Sequence, residues 1–389
     1  MTAGGPGRET SPGLYIHIPY CVRKCVYCSF NSFETGEGVP AEYLNALGLD
    51  LERSAPGWEG AEFGSVYIGG GTPSLIDPED LARLLSEVHS RLALAPDVEI
   101  TLEANPSSLG RSMSLGYREA GANRLSVGVQ SLAPDELRFL GRLHSPEEAL
   151  EAVDGARAAG FANLSCDVMI GVPGQSVSSL ETTLAGVAPR ASHISCYLLS
   201  VDEGTPLRAM VESGAVAEQT EEDLVSLFEA AAGGLRRHGL ARYEISNWAR
   251  PSFECRHNLM YWSRGDYLGL GAGASSHRGG VRSRRLERPE EYMGALLAGS
   301  DPVCFTETVT AEGAMLEEIM LRLRTMRGLD LEWLAGEFSC DLRDAGPLLR
   351  RLQDEGLIVR KGKGIQLTAK GILVSDEVIC SLSASISAF

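Results

Sequence analysis

The stretch LYIHIPYCVRKCVYCSFNSF, residues 14–33, decides the fold, because three cysteines fall close together directly after a strand-like run. Cys21, Cys25 and Cys28 therefore belong to the loop that follows a predicted strand. Thiolates are the usual ligands of iron–sulfur clusters, and a four-iron cubane takes one ligand per iron. Three cysteines leave one iron without a protein ligand, and the amino and carboxylate groups of a small molecule could chelate that iron.

The other cysteines and histidines do not fit a different metal site. A closed zinc site needs four protein ligands, and no fourth Cys or His stands near the loop at a familiar spacing. His17 precedes the loop on the strand, and we predict that it lines the interior of a barrel. Six further cysteines are scattered singly, which indicates a reducing compartment and ordinary buried thiols: Cys166, Cys196, Cys255, Cys304, Cys340 and Cys380.

Length and charge narrow the class of protein. The 389 residues suit one large α/β domain with a smaller one beside it. The chain has 35 basic and 52 acidic residues, a net charge of −17, which argues against a nucleic-acid partner. Residues 1–13 lack an apolar segment, so we expect a flexible leader and no secretory signal. We therefore predict a cytoplasmic protein, which reaches the inner face of the membrane only through a partner.

Six strand–helix units follow one another along the first part of the chain. The strands are predicted at 14–18, 65–71, 98–105, 124–131, 163–171 and 192–200. Such alternation is typical of a parallel sheet with helices outside it. Residues able to bind a ligand come at the carboxyl ends of five successive predicted strands: Cys21–Cys28, Gly69–Thr72, Glu103, Gln130 and Asp167. A barrel brings these ends to one face more easily than a doubly wound sheet does. We predict an α/β fold with a partly open (β/α)6 barrel over residues 14–240.

The rest of the chain is predicted to add two further parts. Residues 241–304 are expected to link to the barrel and to complete it. Residues 305–389 have the order helix, helix, helix, hairpin, final helix, which is typical of a small winged-helix-like α+β module. This part has 10 basic and 13 acidic residues, so a DNA-reading role is disfavoured.

Polar residues and glycines follow the predicted strands. The segment IGGGTP, residues 68–73, contains glycines that bring the backbone close to a ligand. Glu103 ends the third strand, although Asn105 and Ser107 also suggest an ordinary helix cap there. Gln130, Arg142 and Asp167, taken singly, are more often structural polar groups. Together, near successive strand ends, they favour a ligand site.

The Cys-x3-Cys-x2-Cys spacing resembles the signature of the radical S-adenosylmethionine (SAM) superfamily. That resemblance implies a [4Fe-4S] cluster on the three cysteines and SAM on the open iron. It also implies that the protein orients the cofactor, so no acid–base residue is assigned. The residues to which it assigns SAM contacts are Tyr15, Tyr27, Gly70, Gly71, Thr72, Glu103, Gln130, Arg142 and Asp167.

Residues 14 to about 380 resemble one branch of that superfamily, which contains oxygen-independent coproporphyrinogen III dehydrogenases and the haem chaperones known as HemW. The dehydrogenases have a further cysteine where this chain has Phe30, and they have a long N-terminal extension for which Cys21 leaves no room. The segment RHNLMYW, residues 256–262, resembles the His-Asn-x-x-Tyr-Trp haem motif of the chaperones.

The resemblance implies that His257 is an axial haem ligand, with Asn258 orienting it and Tyr261 as a rarer alternative. From the residues alone, a single loop histidine is mostly a surface polar group. Cys255 is interpreted as a plain thiol. The arginines at 278–288 are interpreted as a solvated basic loop, with pairing to haem propionates as the alternative.

Two functions are therefore carried forward, and whether the protein is an enzyme stays open. The first is a haem chaperone with a [4Fe-4S] cluster and SAM, which delivers haem to membrane haem proteins of respiration and which family resemblance suggests is a homodimer. The alternative is an oxygen-independent coproporphyrinogen III dehydrogenase, which performs a radical oxidative decarboxylation in porphyrin biosynthesis.

Overall fold

A computed structural model describes residues 11–36 and 38–388, so residues 1–10 of the predicted leader lie outside the described part. The strands are β1 (Gly13–Ile18), β2 (Tyr20–Cys21), β3 (Phe33–Glu34), β4 (Glu62–Gly70), β5 (Ala93–Ala104), β6 (Arg124–Gln130), β7 (Asn163–Ile170), β8 (His193–Leu198), β9 (Ala241–Arg242), β10 (Asn247–Ala249), β11 (Tyr267–Leu270), β12 (Ser275–Arg278), β13 (Val281–Arg285), β14 (Val303–Thr308), β15 (Leu329–Asp330), β16 (Cys340–Asp341), β17 (Ile358–Lys361), β18 (Gly364–Leu367) and β19 (Ser387–Ala388).

The helices alternate with these strands in the first part of the chain and dominate the last part. They are α1 (Ala41–Ser54), α2 (Pro78–Arg91), α3 (Arg111–Glu119), α4 (Pro134–Leu140), α5 (Pro146–Ala158), α6 (Val177–Val187), α7 (Pro206–Glu212), α8 (Glu221–Arg237), α9 (Arg256–Trp262), α10 (Pro289–Leu297), α11 (Ala311–Leu323), α12 (Leu331–Phe338), α13 (Ala345–Asp354), α14 (Ala369–Leu373) and α15 (Ser375–Ala384). As predicted, Asp77 caps the start of α2, and Pro78 is its first residue.

One twelve-stranded sheet forms the main part of the molecule, in the order β14-β13-β12-β11-β1-β4-β5-β6-β7-β8-β10-β9. The six predicted strands are β1, β4, β5, β6, β7 and β8, and they are parallel neighbours in chain order. The sheet begins and ends on different strands, so the barrel is partly open, which confirms the predicted fold class.

Each barrel strand buries one apolar face and turns one polar face to the interior. On β1, Leu14, Ile16 and Ile18 are fully buried in the main hydrophobic core, which also contains the inner faces of the helices. Tyr15 and His17 alternate with them and so point to the other side of the strand. We call that interior side the lumen. Its polar side chains contact or lie close to one another: Tyr15, His17, Ser65, Tyr67, Glu99, Glu103, Arg124, Ser126, Ser165, Asp167 and His193.

The segment 241–304 adds strands to both edges of the barrel sheet. Strands β10 and β9 extend the sheet beyond β8, both antiparallel. Strand β11 lies parallel to β1, and β12, β13 and β14 continue from it as an antiparallel meander. The domain boundaries at 240/241 and 304/305 stay predictions.

The C-terminal part has a hydrophobic core of its own, built from residues of α11, α12, α13 and α15 and from the hairpin β17–β18. This is the predicted order of three helices, a hairpin and a final helix, with the short α14 in addition. Glu317 of α11 accepts a hydrogen bond from Arg264 Nε at 2.7 Å, which ties the module to the barrel side of the molecule. Within residues 11–36 and 38–388, no helix has both the length and the hydropathy that crossing a bilayer requires.

Candidate functional site

The cysteine loop is fixed at both ends above the carboxyl end of β1. Strands β2 and β3 pair in parallel at the two ends of the loop, and Phe33 N donates to Pro19 O at 2.7 Å. Within the loop, Cys28 N donates to Cys25 O at 3.2 Å, which makes a tight turn between these two cysteines. Cys21 is buried, whereas Cys25 and Cys28 are partly exposed. The loop is therefore an ordered feature that presents thiols toward the barrel mouth.

Two donors from other elements reach the sulfur atoms. Thr72 Oγ1 donates to Cys21 Sγ at 3.5 Å, and Arg142 Nη1 donates to Cys25 Sγ at the same distance. Among the described residues, no three His, Cys, Asp or Glu side chains converge as a mononuclear metal site requires. A cubane takes each thiolate on a different iron, so it needs no such convergence. The donor set and its hydrogen bonds fit a [4Fe-4S] cluster.

The glycine segment after β4 lies directly against the cysteine loop. Gly70 has φ +123°, and a Cβ atom there would lie 2.7 Å from the His17 ring. A Cβ atom on Gly71 would lie 2.6 Å from Tyr20 O and 2.9 Å from Cys21 Sγ. Only glycine therefore allows this backbone to approach the cysteines, and the segment forms one wall of the candidate site.

Two half-buried carboxyl groups share the lumen beneath that wall. Glu103 accepts hydrogen bonds from Tyr67 Oη at 2.8 Å and from Gly70 N at 3.1 Å. Burial, with a smaller contribution from the charge of Asp167, raises the pKa of Glu103 to about 7. Burial likewise raises the pKa of Asp167, which accepts a hydrogen bond from Ser126 Oγ at 3.1 Å. The prediction placed Asp167 at a strand end, but it lies inside β7, where it is in register with the inner part of β8.

Gln130 and Arg142 each have a feature that is typical of a ligand-binding position. Gln130 has φ +65°, a left-handed conformation that costs a non-glycine residue energy and that is enriched at active sites and ligand-binding positions. The buried Gln130 Oε1 and Arg142 Nε find no hydrogen-bond partner among the described residues. Arg142 Nη2 donates to Gly128 O at 2.8 Å and to Asn105 Oδ1. Asn105 thus orients Arg142, and its side chain does not cap the following helical turn as we had expected.

The two tyrosines assigned to SAM have different surroundings. Tyr15 Oη lies 2.9 Å from His17 Nδ1, and His17 Nε2 lies 2.8 Å from Asn31 O. Since the carbonyl of Asn31 only accepts, Nε2 carries the proton and Tyr15 donates to Nδ1. His17 therefore lines the barrel and ties β1 to the cysteine loop. Tyr27 packs on a small apolar cluster beside the main core.

Sequence reasoning missed the lumen side chain that fixes Glu103. Tyr67 is half-buried in the lumen, and no motif around it marks a function. The only signal was its place on β4 two residues before the glycine segment, where a strand of period two points it into the lumen.

The segment 256–262 is a helix, α9, and His257 is not on an exposed loop. Its side chain is buried, with the residue 1% exposed. Nδ1 lies 2.8 Å from Ser65 Oγ, and Nε2 lies 3.1 Å from Tyr261 Oη. Asn258 and Tyr261 are half-buried on the same helix. Iron ligation by His257, with Asn258 orienting it and Tyr261 as the rarer alternative, stays a prediction. It requires the ligating ring nitrogen to leave its present hydrogen bond to Ser65 or Tyr261, and the buried imidazole to become accessible.

Comparison with known proteins identifies the family. The sequence model of the radical SAM superfamily matches residues 15–185, and the sequence model of the HemN C-terminal domain matches residues 309–374. A protein of Mycobacterium tuberculosis named heme chaperone HemW is 36% identical over 385 residues, 97% of each chain. The chain belongs to the HemW family. The heme chaperone HemW of Bacillus subtilis is 34% identical, over 94% of this chain and 97% of its own.

The fold of this HemW-family chain is also that of a solved structure. Coproporphyrinogen III oxidase (HemN) from Escherichia coli, described as a radical SAM enzyme, superposes with a TM-score of 0.80 at 23% identity. The superposition covers 97% of this chain and 91% of that chain. The likeness therefore extends over the barrel and the C-terminal module, and it supports the fold alone.

Proposed function

We propose that this HemW-family protein is a haem chaperone that holds a [4Fe-4S] cluster on Cys21, Cys25 and Cys28 and binds SAM and haem. The observation that carries the proposal is the three-thiolate loop in a chain that is 36% identical, over almost its whole length, to a protein named heme chaperone HemW. Delivery of haem to membrane haem proteins of respiration, and assembly as a homodimer, are parts of the proposal that rest on resemblance.

The lumen residues have distinct roles in the proposed SAM site. Cys21, Cys25 and Cys28 would hold the cluster, which would supply reducing chemistry to SAM bound at its open iron. Gly70, Gly71 and Thr72 offer backbone at close approach, and the Glu103 carboxylate accepts from an ammonium or a ribose hydroxyl. Five more side chains surround this space and orient the ligand: Tyr15, Tyr27, Gln130, Arg142 and Asp167. The unpartnered Gln130 Oε1 and Arg142 Nε, judged within the described part of the chain, supply an acceptor and a donor.

An exposed apolar rim favours a large planar ligand at the barrel mouth. Val22, Phe30, Leu143, Tyr197 and Leu198 are all more than two-fifths exposed. Val22 and Phe30 lie in the cysteine loop, Tyr197 and Leu198 end β8, and Leu143 lines one cavity with Val22 and Cys25. Exposed apolar patches mark binding surfaces more often than singly exposed apolar side chains do. We propose that a haem face docks on this mouth rim.

We expect Phe30→Asp to weaken haem binding about tenfold, because Phe30 is 66% exposed on the mouth rim and a carboxylate there repels the propionates. Absorbance titration of the reconstituted chain with haemin measures the affinity. The matched control is Val359→Asp, an exposed apolar residue of the C-terminal module, and it should leave haem binding unchanged. Equal effects of the two substitutions would contradict the mouth rim as the haem surface.

One anaerobic experiment separates the chaperone from the dehydrogenase. The reconstituted chain is supplied with SAM, a reductant and coproporphyrinogen III, and a second sample receives haemin. We expect stoichiometric haem uptake and no protoporphyrinogen. Protoporphyrinogen formation without haem uptake would instead establish the alternative enzyme.

Affinity for SAM is expected to depend on pH through Glu103. The carboxylate accepts from SAM only when ionised, and its pKa is about 7. Its ionised fraction then rises from about one tenth at pH 6 to about nine tenths at pH 8, so affinity should rise up to about tenfold across this range. Calorimetric titration with SAM at several pH values measures the profile.

The control is Glu103→Gln, which keeps the shape of the side chain and cannot titrate. It should bind SAM more weakly at pH 8 and show a flat profile, apart from the part contributed by the neighbouring Asp167. A variant profile as steep as that of the unaltered protein would remove Glu103 from the proposed SAM site.

A further inference from the structure

The helix that carries the histidine motif closes the amino end of the barrel. Gly13, Ser65 and Glu99 are in register on β1, β4 and β5 and form one layer of the lumen. Glu99 Oε1 accepts from His257 N at 3.3 Å, and Glu99 Oε2 accepts from Arg256 N at 3.2 Å, so a strand residue caps α9 from inside the barrel. We call residues 255–262 the floor segment.

The floor is tightly packed at the imidazole. A Cβ atom on Gly13 would lie 2.5 Å from Met260 Cε and 2.9 Å from His257 Cε1. Burial, helped by the nearby charge of Arg124, lowers the pKa of His257 to about 3, so the ring is neutral. Withdrawal of the ring would break the buried hydrogen bond with Ser65 and the half-buried one with Tyr261, and it would leave a cavity in the floor. At 1% exposure, His257 is not accessible to haem iron in this structure.

A chain of direct contacts runs from the floor to the glycine segment. The His257 ring stacks on the Tyr67 ring, with centroids 5.1 Å apart and an interplanar angle of 29°. Tyr67 Oη donates to Glu103 Oε1 at 2.8 Å, and Glu103 Oε2 accepts from Gly70 N at 3.1 Å. Glu103 lies four residues beyond Glu99 on β5, which is two lumen positions closer to the barrel mouth.

We propose that the floor segment positions the SAM site, with His257 supporting Tyr67 and Tyr67 holding the Glu103 carboxylate, and that His257 acts in this way and not as an iron ligand. The inference rests on the proposed SAM site. It assigns the motif to the opposite end of the barrel from the open iron, and it makes His257 and Tyr67 positioning residues.

A matched pair of buried histidines allows a sharp test. His193 is also fully buried in the lumen, and it too contacts a serine and a tyrosine: Nδ1 lies 2.8 Å from Ser165 Oγ, and Nε2 lies 2.8 Å from Tyr243 Oη. Its ring packs against the Tyr243 ring, with centroids 5.6 Å apart, whereas the ring that packs on Tyr67 is that of His257. His193→Ala therefore makes a similar hole without disturbing the support of Tyr67.

The test uses the full, anaerobically reconstituted chain and two readouts, SAM affinity and the absorption spectrum of bound ferric haem. We expect His257→Ala and Tyr67→Phe each to weaken SAM binding about tenfold, the size of losing one hydrogen bond to a charged group. His193→Ala should stay within about twofold of the unaltered protein. The haem spectrum should be the same in all four proteins.

The opposite results would overturn the inference. If His257→Ala changes the haem spectrum, if added imidazole restores it and if SAM affinity is unchanged, His257 is an iron ligand. Tyr67→Phe keeps the ring and its volume, so unchanged SAM affinity in that variant refutes the positioning role even where His257→Ala fails to fold. Absence of haem uptake by the unaltered chain would refute the chaperone proposal and leave the SAM measurements to decide this inference.

Discussion

Cys25→Ser is expected to abolish cluster assembly, with iron and sulfide falling from about four of each per chain to below about one. Two thiolates cannot hold three corners of a cubane, and a serine hydroxyl is a poor ligand for iron at neutral pH. The partner of the lost sulfur, Arg142 Nη1, would also keep its charge near the site without an anion to receive it. Iron and acid-labile sulfide analysis after anaerobic reconstitution measures the loss, together with the visible absorbance of the cluster.

The chain supplies its own controls for this experiment. Cys304 and Cys380 are exposed cysteines outside the loop, and their replacement by serine should leave iron and sulfide unchanged. Exposure also shows that the expectation of ordinary buried thiols was wrong for these two positions, although it holds for Cys166, Cys196, Cys255 and Cys340. Full iron content in Cys25→Ser, or zinc in place of iron in the unaltered protein, would contradict the proposed cluster.

The sequence predicted the barrel strands because they combine two strong local signals. Each strand is a short β-branched run, and each is followed by a helix with its own start or stop residue, such as Asp77 before α2. The order of parallel strands then follows from the alternation itself. The position of Glu103 and of the glycine segment at strand ends was predictable for the same reason.

Contacts between segments that are far apart in the sequence were not predictable. Asn105 looked like a local cap, but its side chain binds Arg142, thirty-seven residues later. His257 looked like a loop residue because its burial depends on Glu99 and Ser65, which lie more than 150 residues earlier. Periodicity places a side chain on a face, whereas only the folded sheet determines which distant residue meets it there.

Arg285 is the clearest example of a residue whose contacts could not be predicted, because its sequence context indicated a solvated basic loop. It lies on β13, 3% exposed, and its guanidinium forks onto Asp50 of α1, with Nε to Oδ2 at 2.6 Å and Nη2 to Oδ1 at 2.9 Å. Tyr292 Oη donates to the same carboxylate at 2.7 Å. The pairing with haem propionates considered for this arginine is therefore excluded by a carboxylate of the chain itself.

We expect Asp50→Ala to destabilise the protein by about 3–5 kcal/mol, because it leaves the buried Arg285 charge without its partner. Urea unfolding of the apoprotein, followed by circular dichroism, measures the free energy of unfolding. The control is Asp154→Ala, which breaks the half-exposed pair with Arg190 and should cost about 0–1 kcal/mol. Equal costs for the two variants would contradict the argument from burial.

A double variant tests whether the cost belongs to the orphaned charge or to the lost pair. Asp50→Leu combined with Arg285→Met removes both charges and keeps apolar volume, so it should recover most of the stability that Asp50→Ala loses. If the double variant is as unstable as Asp50→Ala, the pair itself, with the hydrogen bond from Tyr292, stabilises the junction of α1, β13 and α10. Recovery would mean that the main role of Asp50 is to neutralise Arg285, and that the cost of the single substitution is the cost of one unpaired buried guanidinium.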